Sequence, residues 1–219
     1  ARLSDAKFFL DQDLSVPLQS RMERLKDIVF HAKLGNLEEK TKRVQSLALS
    51  LCGWVEGAGL DNVTRAALLA KADLSTGLVG EFRELQGIVG KYYAAAEGEP
   101  EAVSKAIAEQ YSPKGPDDIC PSSPVSVVLA LADRIDSLVG FWSINEKPTG
   151  SKDPFALRRA AIGVIRLIIE NKISIPLVEC LKIAGATEKL AKNIFLFFEE
   201  RLRVYLREKG YGHDVINSV

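Results

Sequence analysis

The sequence predicts an all-α fold, and three observations carry that prediction. Apolar residues recur at helical spacing along most of the 219 residues. Helix-start signals stand in front of nearly every such run. No convincing alternating strand pattern and no internal repeat is found, and only "NKISIPL" (171–177) has the makings of a short extended piece.

The elements follow in order. "ARLSDAKFF" opens the chain already in helical rhythm. Pro17 stands at a first helical position before "LQSRMERLKDIVF", with Leu18, Met22, Leu25 and Val29 along one face. Gly35 breaks the chain, and Asn36 with Glu39 three residues on makes a capping box for the next helix. "EGAG" ends that helix, and Asp61 starts "NVTRAALLAKADL". A glycine-punctuated stretch follows, and Pro100 then opens "EAVSKAIAEQY". Ser112 to Ser122 holds three prolines and a glycine and reads as a loop. Ser123 and Pro124 form a cap and first turn for "VSVVLALADRIDSLVGFW", whose scarcity of polar residues before Asp133 marks a central core helix. "NEKPTG" cannot be helical; Asp153 is an N-cap candidate, and Pro154 fits the first helical position. Leu157, Ala161, Val164 and Ile168 then form an apolar stripe, with Arg159, Arg166 and Glu170 opposite and Arg158 beside them. Pro176 starts a short helix ending at Gly185, and Thr187 caps the last long one.

Composition bounds the function. Apolar residues make up 47% and charged residues 26%, the balance of a chain that buries an ordinary core. No apolar run reaches the roughly 20 residues of a membrane span. Three scattered cysteines, Cys52, Cys120 and Cys180, argue against a disulfide framework and CxxC metal sites, and make a reduced cytoplasm the expected setting. The formal charge is zero but uneven. Residues 151–219 carry 12 Lys/Arg and 8 Asp/Glu, a net +4; residues 1–150 carry 17 and 21, a net −4. The chain reads as a segment of a longer protein with two parts, 1–146 and 147–219.

Sequence motifs supply no catalytic site. There is no phosphate-binding GxxxxGK[ST] and no GxGxxG after a strand. "TGSKDP" superficially resembles a phosphate loop but lacks its spacing and reads as a hinge before a capped helix. Ser, Cys and His form no visible triad. His31 reads as structural or surface, His213 as a terminal cap. Asp133 and Asp136 sit on an otherwise apolar helix, which calls for partners such as Arg134 or Lys71, with metal ligation as the alternative. Lys147, Lys152, Arg158, Arg159, Arg166 and Lys172 form a basic set opposed by Asp153 and Glu170 over 26 positions. A helix N-terminus and arginine forks suit phosphate groups, and a solvated helix face is the competing reading.

"ARLSDAKFF", "HAKLGNLEEKTKRV", "AALLAKADLSTGLVGEFRELQGIVGKYYA", "LADRIDSLVGFW" and "PTGSKDPFALRRAAIGVIRLI" together resemble the beta subunit of bacterial glycyl-tRNA synthetase. The resemblance runs from Ala1 to about Arg166 and resumes more loosely in "FFEERLRVYLREKGYGHDVINSV". The same segments are similar to a worn HD phosphohydrolase fold, a family that holds metal with a His, a His-Asp pair and a later Asp. By that likeness Lys40 stands at the first His position, Ala70 and Lys71 replace the His-Asp pair, and Asp133 keeps the last Asp. One ligand of four survives, too few for a catalytic divalent metal, and Lys40 and Lys71 are expected to pair with Asp133 instead.

The resemblance implies an HD-like helical bundle over 1–146 and further helices over 147–219 leading toward an anticodon-binding domain. It implies a bacterial cytoplasmic, heterotetrameric ligase joining glycine to tRNA, with ATP and Mg²⁺ handled on the alpha subunit and no cofactor here. The implied partners are that alpha subunit and glycine tRNA, with neither membrane nor DNA. Lys147, Lys152, Arg158, Arg159 and Arg166 are then the candidate tRNA contacts. Two rivals stand beside this reading: a helical scaffold that holds subunits or domains together without touching RNA, and an active HD-type hydrolase.

Overall fold

The structure is a computed structural model describing residues 2–115, 117–212, 214 and 216. His213 lies outside the described residues. As the sequence predicts, the fold is all-α, with helices α1 (Arg2–Leu14), α2 (Leu18–Arg21), α3 (Leu37–Leu51), α4 (Leu60–Leu69), α5 (Gly77–Glu81), α6 (Ile88–Ala96), α7 (Glu101–Glu109), α8 (Pro124–Ser143), α9 (Leu157–Glu170), α10 (Leu177–Ile183) and α11 (Glu188–Glu208).

Helix α8 is the axis. Val125, Val128, Leu129, Ala132, Ile135, Leu138 and Trp142 are all buried along it, and α3, α4, α7, α9 and α11 pack around it. A helix apolar on all sides has to be surrounded in this way. One contiguous core runs from Leu18 in α2 to Tyr205 in α11. The helices break between Ser143 and Leu157, but the core continues across that break.

Local signals set several of the helix starts. Asn36 accepts from the Glu39 amide at 2.9 Å while Glu39 accepts from the Asn36 amide at 2.8 Å, closing the predicted capping box. The Thr187 hydroxyl accepts from the Leu190 amide at the start of α11. Pro124 is the first residue of α8, but the Ser123 side chain makes no capping bond.

Several expectations are corrected. The run after Pro17 is not one helix: α2 tightens into a 3₁₀ segment, Met22–Asp27, and the chain then turns into a small antiparallel sheet of β1 (Val29–His31) and β2 (Gly35–Asn36). A three-residue strand is too short to show alternation in the sequence. "NKISIPL" forms no strand. The run after Asp61 ends at Leu69, leaving Lys71 between α4 and a 3₁₀ turn. Pro154 does not begin α9, which starts at Leu157 after Ala156 in the left-handed region. Asp153 still caps it, accepting from the Leu157 and Arg158 amides at 2.8 and 3.0 Å. The stretch before it is closed rather than loose: Thr149 and Lys152 exchange backbone hydrogen bonds around Gly150 and Ser151.

Candidate functional site

The fold brings together the four residues that the resemblance singles out. α3 supplies Lys40, the turn just after α4 supplies Ala70 and Lys71, and α8 supplies Asp133. The Lys40 Nζ lies 3.4 Å and the Lys71 Nζ 3.1 Å from Asp133 Oδ1. Lys40 also lies 3.0 Å from Asp136 Oδ2 and donates to the Ser137 hydroxyl at 2.9 Å. Arg43 Nε reaches Asp136 Oδ1 at 2.7 Å. Aromatic faces complete the shell, with Lys40 4.6 Å from the Phe30 ring centroid and Lys71 4.3 Å from that of Tyr111. Ala70 is buried, and its carbonyl accepts from Gln110 Nε2 at 2.6 Å.

The electrostatics of this cluster follow from the pairing. Burial alone would raise the Asp133 carboxyl, but Lys40 and Lys71 override it and hold it well below the usual carboxylate range. Three cations, Lys40, Lys71 and Arg43, share two carboxylates. Two ammonium groups within 3.4 Å of Asp133 occupy the space a divalent cation needs, and among the described residues no three His, Cys, Asp or Glu side chains converge on such a position. The residues present do not fit a metal. Arg134, offered by the sequence as a partner for the aspartates, is committed elsewhere: it donates to the carbonyls of Gln110, Ala130 and Pro113 at 2.8, 3.0 and 3.1 Å.

The basic set divides into committed and free side chains. Arg166 is buried and donates to Glu170 Oε1 at 2.6 Å and to the Gly115 and Asp118 carbonyls at 2.8 and 2.7 Å. That guanidinium is spent inside the protein, unlike the exposed members of the set. Arg158 is half-buried and donates to the Gly150 carbonyl at 2.6 Å. Lys147, Lys152 and Arg159 are exposed. His31 packs edge-on to Phe141 and Phe155, a structural role.

Two adjoining cavities join the cluster to α9. One, of about 460 Å³, reaches Asp133 and is walled by Gln86, Gln110, Phe155, Ala160 and Arg159. The other, of about 380 Å³, lies between α9 and the end of α11. Pro113, Lys114 and Arg159 border both. Sequence reasoning missed Lys114, which sits in a loop without a motif, and Arg43, which falls three residues after Lys40 and so on the same helix face.

The whole chain, residues 1–219, matches the family model described as glycyl-tRNA synthetase beta subunit. A glycine–tRNA ligase beta subunit from Rhodospirillum centenum is 52% identical over 228 residues, covering 100% of this chain and 32% of the relative. Those from Phenylobacterium zucineum and Paracoccus denitrificans are 49% and 48% identical, with the same coverage. The chain thus spans about a third of the length of the curated relatives it matches. An all-α body whose full length matches at this level of identity belongs to the glycyl-tRNA synthetase beta subunit family.

Proposed function

We propose that this chain is a non-catalytic helical segment of a glycine–tRNA ligase beta subunit that supports glycine tRNA binding during ATP-dependent ligation of glycine. The full-length family match carries the reading. The parent enzyme would be a bacterial cytoplasmic ligase whose alpha subunit handles ATP and Mg²⁺ and is the protein partner of this one. The HD-like arrangement would be a phosphohydrolase scaffold kept for its shape, since Lys40 and Lys71 neutralise Asp133 where a metal-dependent reaction needs open ligands. The RNA contact would be the exposed edge of α9, with Arg159 foremost and Lys147 and Lys152 beside it, because phosphate contacts position an RNA without reading its sequence. No helix of the described residues is long and apolar enough to cross a membrane.

A purely structural scaffold is the second reading, favoured by Arg166, which ties α9 to the loop before α8 rather than offering its charge to a ligand. Anisotropy of labelled glycine tRNA, titrated with the complete protein at several salt concentrations, separates the two. Replacing Arg158 and Arg159 together by Ala is expected to weaken binding and flatten its salt dependence. Unchanged binding, with the alpha subunit still captured in a pull-down, would leave the scaffold.

A further inference from the structure

We propose that the cavity above the Lys40–Lys71–Asp133 cluster receives one unstacked nucleotide of the bound RNA, its phosphate held at the rim by Arg159 and Lys114. The proposal rests on the RNA reading above and adds a defined pocket to it.

The rim supplies the charge. Among the described residues, neither the Arg159 guanidinium nor the Lys114 ammonium has a hydrogen bond or an ion pair, and both border this cavity. Arg158 and Arg166, by contrast, are tied to backbone carbonyls. Asp133 is the carboxylate on the wall, and Lys40 and Lys71 neutralise it. The neighbouring cavity also has Arg159 and Lys114, with Lys209 and the Glu170-paired Arg166, but Asp117 and Glu208 line it and oppose an anion, whereas the one carboxylate of the first cavity is already neutralised. Charge therefore favours the cavity over the cluster.

The walls supply the rest. About 460 Å³ accommodates a nucleotide and lies within the ordinary range of small-ligand pockets. Phe155, Ala156 and Ala160 form an apolar side suited to a base, and the Phe155 ring is fixed by stacking on Phe141 with centroids 4.1 Å apart. Gln110 is fully buried behind the wall and spends its amide N–H groups on the Ala70 and Ile107 carbonyls, which fixes that side of the pocket. Gln86 lines the same wall and brings an amide to it, suited to a base edge. Splayed-out bases held by stacking and edge hydrogen bonds are how proteins read single-stranded RNA.

The test is binding of labelled glycine tRNA to the complete protein over a range of salt concentrations, with Arg159→Ala and Ala160→Trp. Ala160→Trp fills the cavity and leaves every charge in place. The proposal expects Ala160→Trp to weaken binding on the order of tenfold with the salt slope unchanged, and Arg159→Ala to weaken it with a slope shallower by about one. Weakening by Arg159→Ala alone would overturn the pocket and leave the RNA reading standing; no effect from either would overturn both. Where Ala160→Trp lowers the melting temperature, Gln86→Leu replaces it with the same readouts. Titration with the four 5′-nucleoside monophosphates separates the sources of phosphate. Competition with tRNA supports the proposal, whereas a monophosphate that binds without displacing tRNA assigns the cavity to a free nucleotide and overturns it.

Discussion

Asp133 and Asp73 are carboxylates held inside the same helical body, the first mostly and the second fully buried, and opposite means keep them there. Asp133 sits between two ammonium groups, which hold its carboxyl well below the usual range against the pull of burial. Asp73 is fully buried, with no ion pair among the described residues; its Oδ2 accepts from the Gly87 and Gly90 amides at 2.6 and 3.3 Å. Burial pushes the Asp73 carboxyl up, only partly opposed by those amides and by Lys71. Backbone dipoles thus suffice to place a carboxylate, while full counter-charge is needed to keep it strongly acidic.

The comparison can be broken most violently at Asp133. Asp133→Ala leaves Lys40 and Lys71 facing each other without their shared counter-charge, a loss of about 3–5 kcal/mol in the pattern of broken buried ion pairs. Thermal unfolding of residues 1–219 is expected to drop by about 10 °C at two to four degrees per kcal/mol. Lys40→Met, Lys71→Met and Asp133→Leu combined is expected to recover most of that loss, since replacing a buried ion cluster costs far less than orphaning part of it. A triple variant no more stable than Asp133→Ala would refute the ionic account.

Crowding at Asp73 ranks next. A Cβ at Gly90 would lie 2.7 Å from Ile107 Cγ2 and 3.0 Å from Asp73 Cγ. Gly90→Ala is expected to lose about 1–3 kcal/mol by overpacking, less the small helix gain of alanine. A melting temperature at or above that of the parent chain would contradict the close approach.

Asp73→Asn gives the smallest effect, about 1 kcal/mol near neutrality, and the sharpest contrast. A raised folded-state carboxyl contributes stability that is fully present below its unfolded value near 4 and fades as pH rises through the folded value. A lowered one, as at Asp133, contributes above the unfolded value and fades only as pH falls through the folded value. The parent chain is therefore expected to gain on Asp73→Asn between pH 7 and pH 4, in urea unfolding at matched pH. A constant gap between the two across that range would mean that Asp73 carries no raised carboxyl.

Legibility in the sequence follows the same divide between local and distant causes. The Asn36–Glu39 box and the Thr187 cap were readable because each bond joins residues three apart. Lys40 and Lys71 could be set beside Asp133 only through resemblance, because their pairing spans the fold rather than one helix. The end of α2 at Arg21 has no Gly or Pro to announce it, and the turn into β1 depends on packing. Arg166 looked like a free cation because helical spacing put it with Arg159. In the structure a neighbouring loop covers it, and no periodicity within α9 reports a loop some fifty residues earlier.

That loop has a consequence for motion. The carbonyls of Pro113, Gly115, Asp118 and Pro121 accept from Arg134, Arg166 and Asn171, side chains of α8 and of the end of α9. Proline-rich connectors are natural places to look for a hinge, yet here the three carbonyls held by Arg166 and Asn171 would have to be released before α9 could swing from the loop and α8. The segment is a strap, and any rearrangement in a longer chain would carry α8 and α9 as one rigid lever, turning about points outside them.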